Sequence, residues 1–295
     1  MNRIIRFLIA LTLFFALGLP VYARDAKRIT ILYDAFGAPS ALEKDWGFAA
    51  LVEYGGKRIL FDTGNNARIF EHNVKSLGID LTRLDAVVIS HRHGDHTSGL
   101  PYILRVNPGV KIYAPQDVAL LTGPVPPGFL KADPSLPSQL RYFGGKPPRQ
   151  VKAGSPWGPG NFAAVKKSEE IFPGIQVITT QSRKPGTLEM NEVSLVIRTP
   201  KGLAVVVGCS HPGVERILKN AAKIDSRFYT VVGGFHLVLT PRSEVERVAS
   251  VLHDDLQLER VAPGHCTSEL GFAVFRDRFK DRFDQAGLGA VITLP

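Results

Sequence analysis

The sequence contains little cysteine and lacks several patterns that would assign it to a familiar class of protein. Only two cysteines, Cys209 and Cys266, occur among its 295 residues, so the chain can form at most one internal disulfide. It has no stretch of clustered lysine and arginine interleaved with aromatic residues, which argues against a nucleic-acid-binding surface. No segment repeats at a fixed period. The 44% of hydrophobic residues is nevertheless enough to build a sizeable core.

The N-terminal apolar run is too short to form a typical transmembrane helix. Arg3 and Arg6 precede the run "LIALTLFFALGLP", and the small-residue pattern "VYA" follows it. This order is typical of a secretory signal peptide, so we predict cleavage after Ala23 and export to the periplasm. The alternative is that residues 1–23 are kept as a membrane anchor. Cleavage would leave residues 24–295 as the mature domain, with no stable membrane anchor.

The chain is basic, with 36 lysine and arginine residues, 27 acidic residues and a net charge of +9. A positive balance is compatible with a small anionic substrate. It is also what a mildly basic exported protein without such a ligand would show. The oligomeric state does not follow from these numbers.

Apolar patterns predict two strand-rich halves, each followed by helices, and therefore two packed sheets covered by helices. The run "LDAVVIS" predicts a short strand that is buried on both faces. Hairpins are predicted about Gly55-Gly56 and about Pro200-Lys201-Gly202. Ser243 and Glu246 predict a capping box at the start of a helix.

Residues 123–160 differ from the rest of the chain in composition. Nine of the 21 prolines fall in this stretch, and no helical or strand period is sustained in it. We interpret it as an irregular insertion over the surface that acts as a lid or specificity loop. The alternative is a disordered excursion without a functional role.

Histidine is concentrated in the stretch "HRHGDH", directly after the predicted buried strand. Groups two residues apart on an extended chain point to the same side, as His91 and His93 would. Neutral imidazoles, with the carboxylate of Asp95 beside them, suit zinc. Together with His96 they make four ligands, which is too many for one tetrahedral ion that keeps an open position. The spacing therefore predicts two adjacent ions.

The "HRHGDH" stretch resembles the H-x-H-x-D-H signature of the metallo-β-lactamase superfamily, and "FDTG" resembles that superfamily's first motif. The resemblance implies an α/β fold, the four-layer αββα sandwich of the metallo-β-lactamase type, with a dinuclear metal site at one edge of the sheets. It implies that His91 and His93 bind the first ion and that Asp95 and His96 bind the second. By the same resemblance, Asp62 orients one of the ligands.

The later motifs depart from the commonest pattern of the superfamily. No histidine occurs between His96 and His211, where the usual third motif would lie, and we infer that His211 supplies the missing imidazole to the first ion. Cys209, in "GCSHPG", stands where the later aspartate is usual. Cys209 is either a thiolate ligand or only a small residue at a strand end. A disulfide with Cys266 would remove it as a ligand.

The stretches "GCSHPG", "GGFHL" and "PGHCT" together resemble a narrower subfamily, the 7,8-dihydropterin-6-yl-methyl-4-(β-D-ribofuranosyl)aminobenzene 5′-phosphate synthases. This resemblance implies that His265 is the last ligand of the second ion. It also implies that His236 lies near the site, as a ligand or as a donor to the transition state. The alternative for His236 is a buried histidine that is hydrogen-bonded within the core.

These features predict an exported metal-dependent hydrolase. Two divalent ions, expected to be zinc, would share a hydroxide that attacks an ester, lactone or phosphoester in a small molecule. Asp95 would steer this nucleophile and His236 would donate to the transition state. One alternative is a synthase-type transferase, against which the signal peptide argues because such biosynthesis is cytoplasmic. Another is a non-catalytic metal-binding or sensor protein.

Overall fold

The computed structural model describes residues 26–117, 123–124, 133–146, 152–153, 157, 160–183 and 190–295. The predicted signal peptide lies outside the described residues. The strands of the described residues are, in chain order, β1 (Arg28–Tyr33), β2 (Ala49–Tyr54), β3 (Lys57–Phe61), β4 (Ala86–Val88), β5 (Ile112–Pro115), β6 (Gly123–Pro124), β7 (Lys152–Ala153), β8 (Phe162–Val165), β9 (Glu169–Phe172), β10 (Ile175–Gln181), β11 (Asn191–Thr199), β12 (Gly202–Val207), β13 (Phe228–Gly234), β14 (Arg260–Gly264) and β15 (Val291–Thr293).

Helices follow or separate these strands. The α-helices of the described residues are α1 (Ala67–Ser76), α2 (Gly94–Thr97), α3 (Leu100–Val106), α4 (Val214–Ala221), α5 (Arg242–Ser250) and α6 (Glu269–Phe279). A π-helical turn extends α5, and short 3-10 turns occur elsewhere, including one directly after β14. Within the described residues, no helix is both long enough and apolar enough to span a bilayer.

Two mixed sheets form the centre of the molecule. The first has the order β15-β1-β2-β3-β4-β5-β8, and the second has the order β14-β13-β12-β11-β10-β9. In the first sheet β3, β4, β5 and β8 run parallel to one another. In the second sheet β12, β13 and β14 are parallel. Each sheet therefore has a parallel half in which the carboxyl ends of neighbouring strands reach the same edge.

The two sheets pack face to face through buried apolar side chains such as Phe61 of β3 and Val206 of β12. On the outer face of the first sheet, Phe70 of α1 and Ile103 of α3 are buried. On the outer face of the second, α4, α5 and α6 bury a separate apolar cluster. The expected order of helix layer, sheet, sheet and helix layer is thus confirmed.

Local sequence signals explain several of these elements. The hairpin between β2 and β3 turns at Gly55 and Gly56, whose φ angles are 58° and 72°. Such angles are disfavoured for most other residues, which is why this dipeptide fixes the turn. The predicted hairpin about Pro200 joins β11 to β12, and the predicted buried strand is β4 in the interior of the first sheet.

Two expectations about local structure were wrong or incomplete. The capping box does not form, because α5 begins at Arg242 after Pro241, and its N-cap makes no side-chain hydrogen bond. Ser243 and Glu246 therefore lie inside the helix. The strands β8 and β9 were not predicted. Both have four residues and are mostly half-buried or exposed edge strands, so their sequences show neither a long apolar run nor a clear alternation.

The proline-rich insertion leaves the first sheet between the adjacent parallel strands β5 and β8. Its described parts include the antiparallel pair β6 and β7, which forms a separate two-stranded sheet. Two 3-10 turns, Ser138–Leu140 and Tyr142–Gly145, lie between these strands. The rest of the insertion lies outside the described residues, and its role as a lid stays a prediction.

Candidate metal centre

The predicted site residues all follow the carboxyl ends of strands in the parallel halves of the two sheets. Asp62 follows β3; His91, His93, Asp95 and His96 follow β4; Cys209 and His211 follow β12; His236 follows β13; and His265 follows β14. Because parallel strands end at the same edge, residues far apart in the chain meet there. This edge contains six of the eight histidines of the protein.

The donor atoms at this edge form two groups. In the first group, one atom each from His91, Cys209 and His211 lie within 4.8 Å of one another. In the second group the same holds for Asp95, His96, Cys209 and His265. Cys209 therefore belongs to both groups.

His93 lies beside the first group of donors. Its ring centre is 4.7 Å from that of His91 and 4.8 Å from that of His211. Unlike His91, which is fully buried, His93 is exposed. It is the N-cap residue of α2, with extended backbone angles, so it lies before the helix that carries Asp95 and His96.

The residues present fit a metal ion. The Nε2 atom of His91 is buried, and no hydrogen-bond partner reaches it among the described residues. A buried polar atom without a partner is costly in a folded protein. Imidazole nitrogen, thiol sulfur and carboxylate oxygen are the donor types that zinc and similar divalent ions take. An ion bound beside His91 would satisfy this atom.

A buried carboxylate on the side of the first sheet holds two of the imidazoles in place. Asp62 accepts hydrogen bonds of 2.7 Å from the backbone N–H of Ser90, from the Ser90 hydroxyl and from His96 Nδ1. The Ser90 oxygen in turn accepts a 2.8 Å bond from His91 Nδ1. Both imidazoles are thereby oriented with Nε2 as their electron-pair donor. Complete burial raises the pKa of Asp62, and the contacts with His96 and Ser90 oppose this shift.

A second buried carboxylate, Glu192 of β11, was missed by the sequence analysis. Its Oε2 atom accepts from His211 Nδ1 at 3.0 Å and from the His211 backbone N–H at 2.8 Å. Its Oε1 atom accepts from the backbone N–H groups of Cys209 and Ser210, at 3.1 and 2.6 Å. Burial would raise the pKa of Glu192, but these hydrogen bonds hold it below its usual value. The sequence gives no clear signal for it, because Glu192 and Ser194 alternate with apolar residues in β11 as in an ordinary strand.

The protonation states of His91 and Asp95 favour ligation. Burial lowers the pKa of His91 well below its usual value, and its histidine neighbours, His96 first among them, lower it further. Burial would raise the pKa of Asp95, but the hydrogen bond with His265 and the proximity of His96 hold it well below the usual range. At neutral pH the site thus offers an uncharged imidazole and an ionised carboxylate, the forms that bind metal.

Cys209 lies between the imidazoles of the second group. Its Sγ atom is 3.1 Å from His96 Nε2 and 3.3 Å from His265 Nε2. Both cysteines are buried free thiols in the structure. The Sγ atom of Cys266 lies 3.6 Å from the carbonyl oxygen of Cys209. The disulfide that was left open as an alternative is therefore not formed.

The rim of the site includes residues that the sequence analysis did not single out. The ring of Trp46, which is 45% exposed, lies 4.9 Å from that of His265. Asp34 is buried and accepts from the backbone N–H of His265 at 2.8 Å, and burial raises the pKa of its carboxyl to about 7. His236, half-buried, lies 4.4 Å from the ring of His211. His236 thus lies near the site but belongs to neither donor group.

Residues 47–218 match the family model of the metallo-beta-lactamase superfamily. The chain belongs to that superfamily. A 7,8-dihydropterin-6-methyl-4-(beta-D-ribofuranosyl)-aminobenzene-5′-phosphate synthase from Methanocaldococcus jannaschii is 31% identical to it over 279 residues, which cover 88% of this chain and 93% of that protein. The superfamily expected from the "HRHGDH" and "FDTG" motifs is thereby confirmed.

Solved structures agree with this membership of the metallo-β-lactamase superfamily. A crystal structure described as a metal-dependent hydrolase of the beta-lactamase superfamily matches with a TM-score of 0.68 and 26% identity, covering 90% of this chain and 98% of that one. The short form of human tRNase Z matches with a TM-score of 0.52 and 14% identity, covering 91% and 99%. The latter likeness shows the shared fold alone.

Membership of the metallo-β-lactamase superfamily makes the protein an enzyme whose fold is that of a family of hydrolases. The superfamily typically binds divalent metals, and the histidine, cysteine and aspartate donors at the sheet edge can hold them. Because the relatives include both a synthase and a hydrolase, the shared fold leaves the substrate open.

Proposed function

We propose that the protein is an exported hydrolase with two divalent metal ions, which acts on an ester, lactone or phosphoester group of a small anionic molecule. One observation carries the proposal. Two adjacent groups of donors share Cys209, and in each group one histidine is hydrogen-bonded to a buried carboxylate. Such carboxylate–histidine pairs are typical of metal ligands, because the carboxylate fixes the ring and raises its basicity.

The number of donors supports two ions. We assign His91, His93 and His211 to the first ion, and Asp95, His96 and His265 to the second. Three protein ligands for each ion would leave a position open for substrate or water, as in catalytic zinc sites. The mixture of nitrogen, carboxylate and sulfur donors favours zinc.

The roles of the chain's own residues follow from their positions. Two divalent ions, when bound, supply Lewis acidity and make water a nucleophile at neutral pH. Asp62 and Glu192 hold the imidazoles in one orientation, as their hydrogen bonds support. Asp95, ionised and next to His265, can steer the attacking group by accepting a hydrogen bond from it. His236 lies on the side of His211 and can donate a proton to the leaving group.

The exposed residues at the rim of the site favour a substrate that has an apolar or aromatic part beside its reactive group. Trp46 presents an exposed indole next to His265. Leu239, in the loop that carries His236, is 98% exposed. The basic balance of the chain, with a net charge of +9, is compatible with an anionic substrate. The name of the relative from Methanocaldococcus jannaschii contains a 5′-phosphate, which favours a phosphorylated one.

Removing the metal ions from the purified mature protein and then adding them back tests the proposal. By the ligand count, metal-replete protein should contain about two equivalents of divalent ion and hydrolyse one member of a panel of esters, lactones and phosphoesters. His211→Ala should lower the metal content and abolish turnover. His72→Ala is the matched control, because His72 lies on α1 and contacts the carbonyl of Ala41. A firm single equivalent in the wild type would exclude the dinuclear centre.

A second candidate is a synthase-type transferase, and the 31% identity with the Methanocaldococcus jannaschii protein over 88% of the chain favours it. The same metal-loaded protein distinguishes the two. Consumption of a substrate only when a second organic substrate is present would support the transferase. Two equivalents of metal without turnover in either assay would instead support a non-catalytic metal-binding or sensor protein.

Export is part of the proposal and has its own test. The first described strand, β1, begins at Arg28, so cleavage after Ala23 would leave every described strand in the mature domain. We expect N-terminal sequencing of protein from the periplasmic fraction to begin at Arg24. Recovery of a chain that still begins at Met1 in the membrane pellet would show that the segment is an anchor.

A further inference from the structure

A cleft of about 370 Å³ lies outside the metal centre, and none of the metal-site residues lines it. Its walls come from helix α6, from the segment after α6 and from the segment that follows β1. The lining includes three half-buried phenylalanines and three exposed polar residues, which are Phe36, Phe272 and Phe283, and Glu269, Arg276 and Gln285. A cavity of this volume, with an apolar lining and a few polar groups, is typical of a site for a small molecule.

Helix α6 presents one face to the core and another to the cleft. Phe275 and Phe279 are buried in the apolar cluster on the outer face of the second sheet. The residues that line the cleft lie at the i, i+3, i+4 and i+7 positions of a different face, and they are Glu269, Phe272, Ala273 and Arg276. Glu269 and Arg276 are therefore about 10 Å apart along the helix axis, with the apolar positions between them.

The aromatic walls of the cleft are held by contacts within the protein. The ring of Phe36 meets that of Phe272 edge to face, with the ring centres 4.6 Å apart. The carbonyl of Phe36 accepts a 2.7 Å hydrogen bond from the N–H of Leu288, and Phe283 pairs with Val261 of β14. The cleft is therefore formed before a ligand enters, which lowers the entropy cost of binding. Aromatic rings in this arrangement favour a further aromatic ring between them.

The two charged side chains of the cleft are open to a ligand. Arg276 is exposed and lies 3.9 Å from the carboxylate of Asp277, its neighbour in the chain, and no other acid of the described residues pairs with it. An exposed ion pair of this kind is weak. Glu269 is exposed too, and no lysine or arginine within the described ranges pairs with it. A ligand can therefore place an acidic group on Arg276 without first breaking a strong ion pair.

We propose that this cleft is a second binding site, which takes a small aromatic anion. Its flat ring lies among the phenylalanines, its acidic group binds Arg276, and a hydroxyl or amine at its other end donates to Glu269. The cleft is separate from the metal centre but close to it in the fold. The backbone N–H of Phe36 donates to Asp34 Oδ1 at 3.0 Å, and Asp34 Oδ2 accepts from the backbone N–H of His265 at 2.8 Å. The site does not depend on the bound ions, so its failure would leave the proposed function standing.

Isothermal titration calorimetry of the metal-replete protein tests the site, with 4-hydroxyphenylacetate as the probe. This molecule has the aromatic ring, the acidic group and the hydroxyl donor. Arg276→Gln should weaken its binding about 10-fold or more, the usual worth of a hydrogen bond to a charged group. Phe272→Ala should weaken it about 2- to 10-fold, as for the loss of an aromatic contact. Arg227→Gln is the matched control and should bind as the wild type does, because Arg227 pairs with Asp225 at the surface.

Three analogues of the probe each lack one recognised feature and should bind more weakly. Phenylacetate lacks the hydroxyl donor, cyclohexylacetate lacks the aromatic ring, and tyramine lacks the acidic group. Equal binding of cyclohexylacetate or of tyramine would overturn the aromatic anion as the ligand.

The variants and the metal ions decide whether the probe lies in the cleft. Binding that Arg276→Gln leaves unchanged, or that disappears when the metal ions are removed, would overturn the site. No binding at about 10 mM probe would overturn it as well, since a molecule of this size that fits its pocket binds more tightly than that. Arg276→Gln changes an exposed side chain, so it serves if Phe272→Ala does not fold as judged by circular dichroism.

Discussion

The two sides of the metal centre are built in different ways. On the side of the first sheet, all four candidate ligands come from one stretch of six residues after β4, which runs into helix α2. On the side of the second sheet, Cys209, His211 and His265 come from the ends of two different strands, and His236 follows a third. The first side is thus determined by local sequence, whereas the second exists only when β12, β13 and β14 align.

The two buried carboxylates, one on each side of the metal centre, also differ. Asp62 orients two imidazoles, that of His96 directly and that of His91 through the Ser90 hydroxyl. Glu192 orients one imidazole, that of His211, and also accepts hydrogen bonds from three backbone N–H groups. The additional donors explain why Glu192 has a lowered pKa while that of Asp62 is raised. Asp62 therefore acts mainly on the ligands, and Glu192 also holds the backbone that carries them.

The sharpest test of this contrast compares the histidines nearest the rim, His93 on the first side and His236 on the second. We expect His236→Gln to keep its metal and to lower kcat by about 100- to 10,000-fold, the usual contribution of a positioned acid or base. His93→Ala should instead lose metal from the first position. Metal content and kcat, measured on the same samples, decide between the two roles. Loss of metal from His236→Gln would make His236 a ligand.

A smaller effect should separate the two carboxylates. Asp62→Asn should weaken both metal positions by about 10- to 100-fold, because it orients an imidazole in each. Glu192→Gln should weaken only the position that includes His211. It should also lower the free energy of unfolding by about 1.5 to 3 kcal/mol, the usual worth of a hydrogen bond to a charged group. Competition with a chromophoric chelator and urea unfolding measure the two effects.

Glu71→Gln is the control for these carboxylate variants, because Glu71 pairs with Lys75 and Arg105 at the surface. It should change neither metal position. Equal weakening of both positions by Asp62→Asn and Glu192→Gln would mean that the two sides of the centre do not act separately.

The smallest effect is expected at Trp46, which precedes β2 of the first sheet but packs on His265 of the second side. If the indole binds an apolar part of the substrate, Trp46→Ala should raise KM by about 2- to 10-fold, the usual range of an aromatic contact. The value of kcat should hardly change. Trp46→Phe should restore most of the affinity. A fall in kcat with an unchanged KM would show that the ring positions His265 instead.

The same contrast explains how much of the site could be predicted from the sequence. The stretch from His91 to His96 is a contiguous pattern, so spacing alone indicated a metal site there. His211 was inferred from the absence of another histidine, and His265 from resemblance to a subfamily. Glu192 was missed because one acidic residue in a strand looks like ordinary alternation until the neighbouring strand end is known.

Fold predictions succeeded where one residue type determines the local backbone. Gly55 and Gly56 fixed a hairpin because few other residues adopt their angles. The capping box at Ser243 failed because the helix begins earlier, directly after Pro241. The strands β8 and β9 were missed because pairing with neighbours, and not their own side-chain pattern, makes them strands.

The hydrogen bonds of Ser90, Asp62 and Glu192 have a consequence for how the enzyme acquires its metal. They restrict the ring rotations of His91, His96 and His211 through contacts that do not involve an ion. The rotamer entropy of these side chains is therefore lost during folding and not at metal loading. Affinity for metal and resistance to unfolding should consequently change together across variants of these three polar residues, since the same bonds determine both.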